Sequence, residues 1–188
     1  MNIFIFHRDL RLYDNTTLIE MVAKEKNVLP IFIFPPEQIE PSKNKYFSNN
    51  SVQFMIESLK ELNKQLKKLN SRIYFFKGTN DKVIEEIIRT NSVNSIGFNL
   101  DYSPYALKRD KQIEKICMKN KIKIYKKEDY PLYNITDSTT YNKSGKPYTV
   151  FTPFRKNLEK NYQVRKPNNF KFTSSHFIND KDGKLKKN

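Results

Sequence analysis

"NIFIFHRDLRLYDN", running from Asn2 to Asn15, is the stretch whose reading decides the fold. Residues 2–6 form a short apolar run, readable as a buried strand. The run passes at once into Arg8, Asp9, Arg11 and Asp14. A strand that leaves the interior this way either ends in a solvated turn that caps a helix or lines a polar pocket for something planar. On the first reading Asp14 or Asn15 caps the helix in "DNTTLIEMVAKEK", where Leu18, Ile19, Val22 and Ala23 make an apolar stripe. Arg8 and Asp9 would then be a surface pair worth about 0–1 kcal/mol, with Leu10 and Leu12 anchoring the loop.

Strand and helix signals alternate from there. "VLPIFIF" (28–34) reads as a second strand, with Pro30 suggesting its beginning or a sheet edge, and Pro35-Pro36 ends it. "NNSVQFMIESLKELNKQLKKLN" is a helix, since Val52, Met55, Ile56, Leu59, Leu62, Leu66 and Leu69 recur at three- and four-residue steps. "RIYFF" (72–76), "SIGFNL" (95–100) and "KIKIY" supply strands three to five. "DKVIEEIIRTN" and "SPYALKRDKQIEKICMKN" are the intervening helices, the latter with Ser103 as N-cap and Pro104 at its first position. The expected fold is α/β: a Rossmann-like five-stranded parallel sheet with helices on both faces, then a short helix and an irregular basic tail. The expected divisions are an α/β domain over 1–130, a connection with a short capped helix (Thr152, Pro153) over 131–162, and a basic linker or tail over 163–188. Ligands of such sheets sit outside the carboxyl ends of the strands. Here those ends read "HRDLRLYDN", "PPEQ", "KGTND" and "NLDYSP".

Composition narrows the chemistry. The 188 residues contain one cysteine, Cys117, and two histidines, His7 and His176. This excludes an internal disulfide and a cysteine metal cluster, argues against zinc, and fits a reducing compartment such as the cytoplasm. Cys117 shares an apolar helix face with Ile113 and Ile116 and reads as a small buried hydrophobe. No apolar run is long enough for a membrane span, and no signal-peptide pattern is present. The net charge of +15 suggests nucleic acid, but 28 of the 35 basic residues are lysine. With 21 Asn and 18 Ile beside them, AT-rich codon usage accounts for part of the excess. Residues 155–188 alone carry +7. With four glycines there is no G-x-G-x-x-G, no Walker A loop and no G-x-S-x-G elbow. No catalytic residue and no metal site is expected.

Four stretches together resemble the photolyase/cryptochrome family: "FHRDLRLYDN" (6–15), "QFMIESLKEL" (53–62), "DYSPYALKRD" (101–110) and "GKPYTVFTPFRKN" (145–157). They keep the family's order and spacing over residues 2–158 and match its N-terminal α/β antenna domain only. The resemblance implies a light-harvesting chromophore at the strand ends, whether folate, deazaflavin or flavin. It also implies a catalytic FAD in a following helical domain that binds DNA. The chain stops at Asn188 before any such domain, and it has no tryptophan. The implied protein is therefore the antenna part of a deoxyribodipyrimidine photolyase, a DNA-repair lyase, inactive without a separate or missing FAD-binding partner through which it would meet DNA. A cryptochrome-like photoreceptor fragment, an orphan nucleotide- or flavin-binding module and a basic nucleic-acid binder are the alternatives.

By the same resemblance, Arg8 and Arg11 offer planar donors to the chromophore. Phe34, Pro35 and the backbone of Asn99 and Leu100 supply walls, and Asp101 accepts from a ring N–H. Each has a plainer role as well: Asp101 or Ser103 as a helix cap, Phe34 as core. His7, Tyr13 and Arg155 depart from the family pattern. Ala106 stands where folate-binding members carry an acid, which favours a deazaflavin or flavin over folate. Tyr148, Phe151 and Phe154 belong to the segment that meets the second domain, and would be exposed without it.

Overall fold

The computed structural model describes residues 1–137 and 140–179. Five strands, β1 (Asn2–Phe6), β2 (Val28–Phe34), β3 (Tyr74–Lys77), β4 (Ser95–Leu100) and β5 (Lys123–Glu128), form one sheet in the order β3-β2-β1-β4-β5. Every pairing is parallel. The chain winds outward from β1 to β3, then crosses back to place β4 on the other side of β1. The cleft between the carboxyl ends of β1 and β4 is therefore the topological switch point.

Alternation along each strand divides the core into two layers. Ile3, Ile5, Ile31, Ile33 and Ile96 face α4 (Asn80–Thr90) and α5 (Pro104–Lys119), meeting Ile84, Ile87, Ile113 and Cys117. Phe4, Phe6, Val28 and Phe32 face α1 (Thr16–Lys24) and α3 (Asn49–Lys67), meeting Leu18, Met21, Leu62 and Leu66. Cys117 is fully buried and its thiol is pushed up to about 11 by burial, as expected of a core residue rather than a nucleophile. Gly97 leaves room for α1: a Cβ there would lie 2.7 Å from the sulfur of Met21.

Two expectations need correction. β2 is an interior strand, and Pro30 sits inside it opposite Phe4. It is tolerated because β3 begins only opposite Ile31, so at Pro30 the strand is flanked on one side alone. The last helix, α6 (Phe151–Asn161), starts with Val150 rather than Thr152 at its cap, and Pro153 is its third residue. Ser103 and Asn15 cap α5 and α1 as read, each accepting from a backbone N–H three residues on. A four-residue helix, α2 (Pro36–Ile39), follows Pro35. The outer strand β5 carries exposed Lys123, Lys126 and Lys127, which deter pairing along its free edge.

The segment after α6 is irregular, as expected, but it docks on the domain. Phe177 is 1% exposed and bridges Val28, while the N–H of Ile178 donates to the Val28 carbonyl at 3.0 Å. Phe170 and Phe172 pack on the α1/α3 layer. The remainder of the expected tail, 180–188, lies outside the described residues. Among the described residues, no helix is long and apolar enough to cross a membrane.

Candidate functional site

The charged exit of β1 is not a surface pair. Asp9 is 1% exposed and accepts from the backbone N–H of His7 at 2.8 Å, from Asn99 Nδ2 at 2.6 Å and from Asn15 Nδ2 at 3.2 Å. Asn99 also donates to Asn15 Oδ1 at 2.8 Å and accepts from the N–H of Thr17 at 3.1 Å. Three buried polar side chains thus tie the end of β1, the end of β4 and the start of α1 into one unit. Burial pushes the Asp9 carboxyl upward, and these hydrogen bonds pull it back.

Above this unit lies a cleft of about 220 Å³, lined among others by His7, Arg8, Pro35, Asp101, Tyr105 and Arg109. A second lobe of about 220 Å³ shares Asn80, Tyr105 and Arg109 with it and opens over Thr79 and Lys108. At the rim, Arg8 Nη1 stands 3.4 Å from Asp101, and its guanidinium lies over the Tyr130 ring at 5.2 Å. Deeper in, Arg109 and Asp110 are 8% and 3% exposed, and Arg109 Nε donates to Asp110 Oδ1 at 2.8 Å. Burial raises the Asp110 carboxyl, with the neighbouring guanidinium opposing it. Two of the residues lining the cleft bury polar atoms without a well-aligned hydrogen bond, His7 at both ring nitrogens and Arg109 at Nη2; Asp110 Oδ2 and the Tyr130 hydroxyl, beside the lining residues, are in the same condition. Arg109 Nη2 does lie 2.8 Å from Asp110, but only as an ion pair, without hydrogen-bond alignment. Native interiors rarely leave such atoms unsatisfied, which makes His7 and Arg109 the cleft's candidates for receiving polar groups.

Of the residues singled out from sequence, Arg8, Pro35 and Asp101 line this cleft. Asn99 lies behind it in the buried triad, and Leu100 packs into the α4/α5 layer. Phe34 turns to the opposite layer, 4.8 Å from Phe32 and 5.8 Å from Phe75. Arg11 leaves the cleft altogether. Its guanidinium pairs with Asp129 and donates to the carbonyls of Tyr13 and Asp14. Asp101 and Ser103 also do their plainer work, capping the turn into α5. Missed from sequence were His7, Gln38, Asn80, Tyr105 and Arg109. The signal for two of them was present, because Tyr105 and Arg109 are four residues apart on α5 and so share one face.

A larger apolar groove of about 600 Å³ runs along the connection, lined by Pro131, Tyr133, Ile135, Tyr148, Phe151 and Phe154 among others. Phe151 is 71% exposed, whereas Tyr148 and Phe154 are half-buried with ring centroids 5.8 Å apart. Among the described residues, none that line the groove is charged, so they offer little to orient a small polar ligand. Among the described residues, no cluster of side chains could hold a metal ion.

The family model for DNA photolyase matches residues 2–171. The chain is 32% identical over 180 residues to a deoxyribodipyrimidine photo-lyase of Buchnera aphidicola, covering 90% of this chain and 36% of the relative. It is 29% identical over 139 residues to cryptochrome-1 of Aedes aegypti, covering 71% of this chain and 25% of the relative. Among solved structures, an archaeal photolyase from Sulfolobus tokodaii, holding two FAD molecules and implicating a novel light-harvesting cofactor, superposes with a TM-score of 0.80. That match is at 37% identity and covers 92% of this chain and 38% of that one. The chain thus spans between a quarter and two fifths of the length of these relatives. The sheet order, the motifs and these matches agree: the chain belongs to the DNA photolyase family and corresponds to its N-terminal α/β domain.

Proposed function

We propose that this domain is the light-harvesting part of a photolyase-type protein and that the cleft between β1 and β4 holds a flavin-type chromophore. The observation that carries the reading is a cleft at the switch point whose lining includes His7 and Arg109, each burying polar atoms without a well-aligned hydrogen bond. The two lobes together fall within the range of small-molecule sites, about 300–1,000 Å³. The Sulfolobus relative, with its second FAD, supports a flavin over a folate. Such a chromophore, once bound, absorbs light and passes the energy on. The chain's own residues bind and orient it. Pro35 and Tyr105 give flat walls, Arg8 with Asp101 closes the rim, and Arg109 with His7 presents polar atoms from within. We place DNA repair in the assembled protein, with the FAD-binding half seated against the groove around Phe151. The match to a cryptochrome keeps a photoreceptor role as the second reading.

The test is a fluorescence titration of the purified chain with riboflavin, FAD and methenyltetrahydrofolate. The expected result is flavin binding with a Kd of about 10 μM, tighter than folate, and weakened about tenfold in Tyr105→Ala. Absence of flavin binding at millimolar concentration contradicts the reading.

A further inference from the structure

We propose that His7, together with the charge-paired Arg109, makes the cleft selective for an uncharged ring with a lactam edge, an N–H beside a C=O, over an anionic chromophore of the same shape. The inference rests on the antenna reading above and narrows it to one chemical class.

The ionisable groups around His7 are Arg8 and Asp9 on its own loop, Asp101 after β4, Arg109 and Asp110 on α5, and Tyr130 beyond β5. Arg8 has Asp101 as its counter-ion and Arg109 has Asp110. Asp9 is already satisfied by three donors. Both arginines lining the His7 cleft are therefore matched, while Lys108 lines only the second lobe. A phenolate or carboxylate entering the His7 cleft would lose its water and find no unpaired guanidinium there.

His7 decides the balance. Its ring lies 5.9 Å from that of Phe98, on the wall of the cleft, with both nitrogens buried and neither in a well-aligned hydrogen bond, the Asn99 carbonyl lying close to it. Burial, reinforced by the nearby guanidinium of Arg109, holds it well below the usual histidine range, and the Asn99 carbonyl pulls the other way with less effect. The imidazole is thus uncharged near neutrality, with one nitrogen a donor and the other an acceptor. Arg109 Nη2, ion-paired with Asp110 but not aligned as a hydrogen bond, adds a second donor. A lactam edge presents the complementary acceptor and donor, and so do the isoalloxazine of a flavin and its neutral analogues. An arginine at position 7 would add an unmatched permanent cation and reverse the preference.

The experiment compares riboflavin with an 8-hydroxy-5-deazaflavin, ionised at pH 7.5, on the wild-type chain, His7→Gln and His7→Arg. The wild type is expected to prefer riboflavin by about tenfold, close to 1.4 kcal/mol. His7→Gln, which keeps an uncharged donor and acceptor, should weaken both ligands yet hold the preference. His7→Arg should shift the ratio at least tenfold toward the anion. A wild type that prefers the anion, or a ratio unchanged in His7→Arg, overturns the inference and leaves the antenna reading in place. Failure of the wild type to bind either ligand overturns the antenna reading and this inference with it. Should His7→Arg misfold by circular dichroism, the wild-type and His7→Gln ratios decide on their own.

Discussion

Asp9→Ala should lower the stability of the domain by about 3 kcal/mol, the largest effect expected from any single change at the β1 exit. The carboxylate is buried and serves three donors: the His7 N–H, Asn99 Nδ2 and Asn15 Nδ2. Alanine leaves these in a space that water does not reach, and an unsatisfied buried donor costs about 1–3 kcal/mol. Partial relaxation keeps the total below the sum. For a domain of this length each kcal/mol moves Tm by about 2–4 °C, so a fall of about 6–12 °C is expected. Asp9→Asn keeps one acceptor oxygen and replaces the other with a donor, so it should lie between wild type and alanine. Thermal unfolding followed by circular dichroism measures all three. Equal melting temperatures for wild type and alanine would show that the triad does not hold the sheet end together.

Asp129→Ala should cost about 2 kcal/mol and loosen the chain's last docked segment. The Asp129 side chain is fully buried just after β5. It accepts from Arg11, from the backbone N–H of Thr16 at 2.9 Å and from the Thr16 hydroxyl, with Arg165 at 3.6 Å. It therefore joins the β1 loop, the first turn of α1 and the returning segment at one point. A carboxylate at a helix N-terminus adds a favourable charge–dipole interaction. Arg11 remains partly in water, which places the expected cost below that of a fully buried pair. The segment around Arg165 should become the first site of limited proteolysis, as its link to Asp129 is gone while that to Asp14 remains. An unchanged proteolytic pattern and Tm would contradict this account of Asp129.

The fold was legible because its signals were periodic. The apolar runs of β1, β2 and β4 are bracketed by helices with three- and four-residue steps, and caps such as Asn15 and Ser103 mark where they start. The site was legible only in part. Arg8, Pro35 and Asp101 follow directly from strand ends, and the topology carries those ends to the cleft. Arg11 stands three residues beyond Arg8, but its guanidinium donates to the carbonyls of Tyr13 and Asp14 and is captured by the buried Asp129. No local pattern links positions 11 and 129. Phe34 was drawn to the opposite layer by the strand's alternation, which places it with Phe32 rather than with Ile33. His7 and Arg109 were hidden because their burial depends on helix α5 closing over the sheet. The docked return of Phe170, Phe172 and Phe177 was hidden for a related reason: three aromatic residues in a lysine-rich stretch carry no period.

The central claim is that the β1/β4 cleft, not the larger apolar groove, takes a flat chromophore. Amide chemical-shift mapping of the chain with riboflavin tests it most directly. The account predicts shifts concentrated at His7, Arg8, Asp101, Tyr105 and Arg109, with little change at Tyr148 and Phe151. Shifts confined to the groove, or none at saturating riboflavin, would contradict it.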